Sequence, residues 1–352
     1  MLKLVFILIS LCIVLSHSKV CKKKSFSRIS VWIQEENRER YQIINGCITS
    51  DNLRYNSDAL KKVRVSNQNF STLKKGAVAN ISANFTLQIS HNPNFTTIME
   101  EAFLDLPNVF EVDLNDNMID WIETNTFSNQ LFLAAIDLSK NQLEILLHQT
   151  FYNVPNLEII DFSGNKFQFF DQYWFYNATR LSMMLLHHNR ISSIPRASFI
   201  TLPSLTDIDF ENNQISYIHK LAFEGLQSLQ SLDLEKNKLK SIELDFFQTP
   251  NLNFLGIGEN EITYISDQTL SGLQTSLRSL WIHFNPWQCS CIQKVLNWGA
   301  LYNINVSFKC NNTSLFCVVP KVSENECTEL TEEDFHSNCL KEFKGICQKL
   351  HS

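Results

Sequence analysis

The chain has 352 residues, of which 44% are hydrophobic and 19% charged, a composition typical of a globular protein and not of a disordered or collagen-like one. Its formal net charge of −6 argues against general nucleic-acid binding, which needs an excess of lysine and arginine. The count of 26 phenylalanines is unusual, because so many rings need a regular place to be buried.

The first 18 residues have the pattern of a secretory signal peptide. Lys3 precedes an apolar run from Leu4 to Leu15, and small residues follow at Ser16 and Ser18. The alternative is a retained N-terminal anchor, but the apolar run is shorter than a membrane helix requires. No later segment has the roughly 18 apolar residues of a membrane span. We therefore expect an exported, extracellular protein without a membrane span.

The cysteines lie near the two ends of the chain. One of the ten, Cys12, belongs to the signal peptide and leaves nine. An oxidising compartment predicts disulfides, and Cys21 and Cys47 are the pair available at the N-terminal end. Because nine is odd, at least one thiol is free or bonded to another chain. The other seven follow a long cysteine-free stretch, at Cys289, Cys291, Cys310, Cys317, Cys327, Cys339 and Cys347.

Eight Asn-x-Ser/Thr sequons agree with export and predict a glycoprotein. They begin at Asn69, Asn80, Asn84, Asn94, Asn177, Asn305, Asn311 and Asn312.

The middle of the chain is a repeat. The frame L-x-x-L-x-L-x-x-N-x-L-x-x-I recurs every 23 to 25 residues, and Gln68 takes the asparagine position one period before the first asparagine. The repeated asparagines are Asn92, Asn117, Asn141, Asn165, Asn189, Asn213, Asn237, Asn260 and Asn285. A phenylalanine also recurs every 24 residues, at Phe103, Phe127, Phe151, Phe175, Phe199, Phe223 and Phe247.

This frame resembles the leucine-rich repeat family, from about Leu60 to Trp287. The resemblance implies an α/β repeat solenoid, a horseshoe of about ten turns of ~24 residues that stack and share one core. Each turn contributes a short strand to a parallel sheet on the concave side. The asparagine amides satisfy backbone groups at the strand exits, and the phenylalanines stack as a spine.

The segment after the repeats resembles the cysteine-rich C-terminal cap of extracellular leucine-rich proteins such as Toll receptors and Slit. It reads Asn-Pro-Trp-Gln-Cys-Ser-Cys from Asn285 to Cys291, followed by a predicted helix from Ile292 to Tyr302. The resemblance implies bridges Cys289–Cys310 and Cys291–Cys327, although the added Cys317 departs from the four-cysteine pattern. We expect a fold capped by disulfides at both ends, with an N-terminal cap over 19–58, repeats over 59–285, a C-terminal cap over 286–330 and a tail over 331–352.

The tail from Thr331 to Leu350 is predicted to be helical, with Glu332, Glu333 and Asp334 at its start. On a helix, Cys339 and Cys347 lie about 12 Å apart, too far to bridge each other. The tail either folds back on the cap or supports a disulfide-linked homo- or heterodimer through Cys317, Cys339 or Cys347.

We find no sequence motif of an enzyme or of a cofactor site, and we predict a non-enzymatic protein without a cofactor or metal. His187, His188 and His283 are interpreted as solvated surface histidines, because four turns put His187 and His283 about 20 Å apart.

Side chains beside the buried strand residues must face outward on the concave sheet. Five aspartates interrupted by Leu185 occupy the central position, and apolar side chains flank them. The aspartates are common in the family frame and could serve solubility alone; the apolar interruption favours a protein contact patch. The predicted ligand-binding residues are Phe110, Asp113, Asp137, Ile159, Asp161, Met183, Leu185, His187, Asp209, Asp233, Phe254 and Trp281.

Charge is segregated along the chain. Residues 19–75 hold 13 lysines and arginines against 5 acidic residues, whereas the rest of the mature chain holds 16 against 31. A basic head on an acidic body could dock between chains or meet acidic glycans.

Together these features predict a secreted protein that binds a protein or glycan ligand. The similarity to Toll-like ectodomains and insect leucine-rich immune proteins implies innate-immune recognition or a soluble co-receptor. The alternative is a cell-adhesion or guidance ligand, or an extracellular-matrix protein.

Overall fold

Short strands spaced one turn apart form the framework of the computed structural model, which describes residues 24–308, Cys317, Cys327, residues 337–339 and Lys341. The described chain divides into two compact units. The first comprises the residues up to Lys166 together with Tyr173–Arg180, and the second comprises Phe167–Gln172 and the residues from Leu181 onward.

In the first unit the main sheet has the order β2-β1-β4-β7-β10-β12-β14. Its strands are β1 (Phe26–Glu35), β2 (Arg38–Gly46), β4 (Leu60–Ser66), β7 (Phe85–Ser90), β10 (Val109–Asp113), β12 (Ala135–Asp137) and β14 (Ile159–Asp161). From β4 onward neighbouring strands are parallel, as the repeat predicts. Two-residue strands form smaller sheets: β3 (Ile48–Thr49), β5 (Thr72–Leu73), β6 (Val78–Ala79), β8 (Thr97–Ile98), β9 (Phe103–Leu104), β11 (Trp121–Ile122), β13 (Phe151–Tyr152) and β15 (Phe175–Tyr176).

The second unit repeats this plan with the order β16-β18-β20-β21-β22-β23. These parallel strands are β16 (Met183–Leu185), β18 (Asp207–Asp209), β20 (Ser231–Asp233), β21 (Phe254–Gly256), β22 (Ser279–Trp281) and β23 (Asn305–Ser307), and β17 (Ser193–Ile194) pairs with β19 (Tyr217–Ile218). Over residues 181–308 the helices are α1 (Asp267–Leu273) and α2 (Cys289–Leu301), with a 3-10 turn at Phe246–Gln248; a further 3-10 turn lies at Gln172–Trp174.

A β-hairpin that the sequence analysis did not predict closes the N-terminal end of the first unit. β1 pairs antiparallel with β2 on one side and with β4 on the other. Ile29, Val31 and Ile33 face the core and are buried, so the hairpin covers apolar surface that the first repeat would otherwise expose.

Apolar residues of the main-sheet strands that point inward contribute to the core, because neighbouring side chains on a strand point to opposite faces. Leu87, Ile136 and Ile160 are buried in the first unit, and Ile208 and Leu232 in the second. The predicted stack of turns around an apolar interior is confirmed within each unit.

The repeated asparagines are buried and bond to backbone as predicted. Asn165 Nδ2 donates to the carbonyls of Leu138 and Phe162, both at 2.9 Å, and its Oδ1 accepts the Leu143 N–H at 3.0 Å. Gln68 has the same role one period earlier. Its Oε1, which corresponds to Oδ1 of the asparagines, accepts the Ser30 N–H at 2.8 Å. The repeat is thereby bonded to the hairpin.

The phenylalanine spine is confirmed within each unit, except at Phe247. Phe127 and Phe151 stack with 5.3 Å between ring centroids in the first unit, and Phe199 and Phe223 with 5.5 Å in the second. The prediction for Phe247 is wrong, because this side chain is 65% exposed and Phe246 is buried in its place. The turn between Asn237 and Asn260 is one residue shorter than those before it, and the inward position moves accordingly.

The C-terminal cap has the predicted helix, α2, and one of the two predicted bridges. Cys291 is bonded to Cys327, but Cys289 is bonded to Cys317 and not to Cys310. The resemblance carried a four-cysteine pattern, and the additional cysteine lies 4.8 Å from Cys289 between Cα atoms, within bridging distance. Because Cys317 is bonded within the chain, the proposed intermolecular bridge through Cys317 is also wrong.

Several cysteine and tail predictions fall partly outside the described residues. Cys47 is disulfide-bonded, while its expected partner Cys21 lies outside the description, as do Cys310, Cys347 and the signal peptide. Cys339 is buried and helical. Within the described residues, no helix combines the length and apolar character needed to cross a bilayer.

Candidate functional site

The candidate site is the face of each main sheet that points away from the core, called here the open face. Strand register aligns its central side chains in rows. The first unit contributes Arg64, Gln88, Asp113, Asp137 and Asp161, and the second contributes Leu185, Asp209, Asp233, Gly256 and Trp281. The strand residues that alternation predicted to face outward therefore lie side by side within each unit.

The aspartates of these rows also bond to the backbone. Asp137 Oδ1 accepts the Ser139 N–H at 2.8 Å, and Asp161 Oδ1 accepts the Ser163 N–H at 2.7 Å. Each carboxylate thus caps the N–H two residues after it, at the point where the strand ends. The same contact is made by Asp113, Asp209 and Asp233. The aspartates therefore stabilise the turn as well as charging the surface.

Asp113 is the aspartate most affected by its surroundings in the first unit. It is buried and accepts a hydrogen bond from Gln88 Nε2 at 2.7 Å. Burial raises the pKa of its carboxyl, and the neighbouring charge of Asp137 raises the pKa further.

The predicted apolar contacts are exposed to different degrees. Ile159 is 40% exposed and Phe110 is 41% exposed, at an irregularity in the pairing of β10 with β7. Met183, Leu185 and Phe254 are half-buried. Apolar surface therefore accompanies charge on the open face of both units.

An aromatic group that was not predicted from the sequence lies at the N-terminal end of the open face. Tyr41 and Trp32 are opposite one another in the hairpin, with ring centroids 5.5 Å apart, and Trp32 is opposite Arg64. The Arg64 guanidinium lies 5.6 Å from the centre of the Trp32 ring, a cation–π distance. The alternation of apolar residues between Ile29 and Ile33 was the signal that could have revealed the hairpin.

The second unit carries a cluster that we call the acidic–aromatic patch. Phe254 and Trp281 meet edge to face at 5.0 Å, and the His283 ring lies 6.5 Å from Trp281. Lys236 Nζ is 2.7 Å from Glu211 and 3.9 Å from Glu259. The patch comprises Asp209, Glu211, Asp233, Glu235, Phe254, Glu259, Trp281 and His283.

Burial and like charge shift the ionisation of the patch. Burial, together with the neighbouring charges of Asp209 and Glu211, raises the pKa of Asp233 to about 6. Burial also raises the pKa of Glu235 to about 7, with additional contributions from Asp233, Glu211 and Glu259. Burial lowers the pKa of His283. Lys236 lowers the pKa of both carboxyls, but burial and the acidic neighbours outweigh its positive charge.

Two glycines form the floor of the patch. A Cβ at Gly256 would lie 2.7 Å from Asp233 Oδ1, and one at Gly258 would lie 2.5 Å from Glu235 Oε1 and 2.7 Å from the His283 ring. Acidic side chains from the preceding turn therefore occupy space that a side chain would normally fill. The effect of these glycines was not predicted from the sequence.

The histidines are less solvated than the sequence suggested. The His187 side chain is 28% exposed with Nδ1 2.9 Å from Asp209 Oδ2, and the His283 side chain is 19% exposed. His188 is exposed, as expected. Within the described ranges, no group of three or more histidine, cysteine or acidic side chains has the arrangement to hold a metal ion.

The sequons differ in accessibility. Asn69, Asn84, Asn94, Asn177 and Asn305 are exposed and Asn80 is half-buried. Asn311 and Asn312 lie outside the described residues.

Comparison with known families identifies the repeat. The Leucine rich repeat profile matches residues 132–191, 179–239 and 227–286. Residues 132–286 are therefore leucine-rich repeats. No curated protein matches the leucine-rich repeat chain in sequence.

Solved structures of other leucine-rich repeat proteins share the fold. Two come from the Drosophila Toll–Spatzle complex, with TM-scores of 0.56 and 0.62, 20% identity in each, and coverage of 63% and 71% of this chain. This chain spans 31% and 34% of those chains. Human 5T4, a trophoblast glycoprotein, has a TM-score of 0.51 and 22% identity, covering 62% of this chain and 83% of its own.

Proposed function

We propose that this leucine-rich repeat protein is secreted and glycosylated, is not an enzyme, and recognises another protein through its open face, as a soluble receptor or co-receptor in innate immunity. The observation that carries the proposal is the composition of that face. It combines exposed aromatic and aliphatic side chains with charged groups on a regular backbone, which is typical of protein interfaces.

Two further observations support a protein ligand. The Drosophila structures with a similar fold are of a complex between Toll and Spatzle. Open-face groups occur in both units of this chain: Trp32 and Tyr41 beside Arg64 in the first, and Phe254 and Trp281 beside carboxylates in the second. A ligand that contacts either group would meet rigid aromatic anchors, the residues that dominate binding energy at interfaces.

The experiment is affinity capture from native extracellular fluid with the purified full-length chain. We expect Trp32→Ala or Trp281→Ala to lower recovery of the bound protein by about tenfold, the effect of losing one interface anchor. Phe247→Ala is the control, because Phe247 is a more exposed aromatic residue outside the open-face rows. Equal recovery with both open-face variants would overturn the proposal.

The immune role is tested separately from binding. We expect the captured ligand to come from microbial material or from soluble extracellular defence components. Binding to the host's own cell surfaces, lost in the same open-face variants, would instead assign the protein to adhesion or guidance.

A further inference from the structure

The acidic–aromatic patch has the form of a slot. Asp233, Gly256 and Trp281 are in register on three adjacent strands, so the two side chains rise from strands about 10 Å apart. The Asp233 carboxylate reaches over Gly256, where a Cβ would lie 2.7 Å from Asp233 Oδ1. The slot is therefore the space between this carboxylate and the Trp281 indole.

In the row beside the slot, Glu235 is a buried carboxylate whose Oε1 lies over Gly258 next to His283 and makes no hydrogen bond within the described residues. Glu235 is 7% exposed, and its Oε1 has no hydrogen-bond partner among the described residues. His283 Nδ1 is 3.4 Å away, within ion-pair range but without hydrogen-bond geometry. The same oxygen overhangs Gly258. A buried carboxylate oxygen without a donor is unfavourable, and a ligand that donates to it would remove this cost.

The charge around the slot favours a cation. Asp209, Glu211 and Glu259 surround Asp233 and Glu235, and Lys236 is drawn toward Glu211 and Glu259. Burial of the carboxylates strengthens their attraction for a positive charge brought into the slot.

We propose that this slot binds an arginine side chain of the protein partner. The inference rests on the proposed function and names the chemistry that the second unit recognises. A guanidinium is planar, stacks on an indole and donates several N–H groups in a fixed fork, so it can contact Trp281, Asp233 and Glu235 together. An ammonium lacks this planar geometry, and lysine binds more weakly.

The direct test titrates the full-length chain with end-blocked Gly-Arg-Gly and with the same peptide carrying citrulline. Citrulline keeps the planar shape of the side chain and removes its charge. We expect the arginine peptide to bind with a dissociation constant of about 1 mM and the citrulline peptide to bind at least about tenfold more weakly. Equal affinities, or no saturable binding up to about 10 mM, would overturn the arginine site.

Variants assign the binding to the slot. Glu235→Gln and Asp233→Asn keep the shape and each remove one charge, and each is expected to weaken the arginine peptide by about tenfold. Asp161→Asn removes the same charge from the corresponding row of the first unit, and is expected to change affinity less than about twofold. Unchanged affinity in Glu235→Gln, or tighter binding of Ca²⁺ alone than of the peptide, would contradict the proposal.

This design separates the two proposals. If Trp281→Ala abolishes partner capture but the arginine peptide does not bind, recognition through the open face stands and the arginine site is wrong. If the peptide binds to the slot but partner capture is insensitive to every open-face variant, the proposed function is wrong.

Discussion

At the scale of single residues, one amide performs the same task in each turn. Asn213 Nδ2 donates to the carbonyls of Leu186 at 2.9 Å and Phe210 at 3.0 Å, while Oδ1 accepts the Ile191 N–H at 3.0 Å. A turn that leaves a strand abruptly has backbone groups that neither sheet nor water can satisfy. Asparagine satisfies both kinds of group because its amide carries a donor and an acceptor.

Replacing this amide should destabilise the second unit. We expect Asn213→Ala to lower the free energy of unfolding by about 3 kcal/mol or more, because it leaves several buried backbone groups without partners. Asn253→Ala is the matched control at an exposed position and should change stability by less than about 0.5 kcal/mol. Urea unfolding followed by circular dichroism measures both, and similar midpoints for the two variants would contradict this role.

The raised pKa of Glu235 predicts a pH dependence of stability. Its pKa is 4.5 in the unfolded reference and about 7 in the fold, so between these values the folded state binds more protons. Stability must then fall as pH rises through this window. The shift corresponds to about 3 kcal/mol for this group alone.

The measurement compares wild type with Glu235→Gln from pH 5 to pH 8. Asp233, Glu211, Glu259, Lys236 and His283 face the same site and are present in both proteins, so the difference between the curves reports the Glu235 carboxyl together with its coupling to these groups. We expect the variant to gain stability relative to wild type as pH rises. Parallel curves would refute the assignment.

At the scale of elements, spacing alone reveals most of the repeat. The intervals between asparagines predicted the parallel strands, the buried strand residues and the amide bonds, because all of these recur with the turn. The interval fails where the turn length changes: a turn one residue shorter places Phe246 inward and Phe247 outward.

Features that do not recur were harder to predict. The hairpin of β1 and β2 appears once, and with it Trp32 and Tyr41 on the open face. The slot depends on two glycines, whose effect comes from neighbouring turns and not from their own sequence context. Alternation along the strands thus predicted which residues lie on the open face. It did not predict which of these residues cluster with histidine and glycine in the acidic–aromatic patch.

The phenylalanine spine gives a prediction at this scale. Phe199→Ala removes a fully buried ring that stacks on Phe170 and Phe223, and we expect a loss of about 3–5 kcal/mol. Phe247 lies one residue after the buried Phe246 and is exposed, so Phe247→Ala should lower stability by less than about 0.5 kcal/mol. Thermal unfolding of the two variants decides between a periodic phenylalanine that packs and one that does not.

At the scale of the whole molecule, each end of the repeats is covered by structure outside the repeat pattern. The hairpin covers the first unit, and α2 with two disulfides follows the last repeat of the second. Trp287 is buried there, and its indole N–H donates to the Ile282 carbonyl at 2.8 Å. Exposed ends would leave core residues in contact with water, so loss of a cap should affect the repeats beside it.

The bridge Cys289–Cys317 closes a segment with a sequence separation of 28, and a crosslink of this length restricts the unfolded chain. We expect Cys317→Ser to lower stability by about 3 kcal/mol, whereas Cys310→Ser should leave this bridge intact.

Mass spectrometry of non-reduced proteolytic fragments identifies the pairing directly. A fragment joining Cys289 to Cys310 in the wild-type protein would restore the four-cysteine pattern and refute the observed one. Retention of the Cys289–Cys317 fragment in Cys310→Ser, together with its loss and a lower unfolding midpoint in Cys317→Ser, would establish that the additional cysteine holds the cap closed.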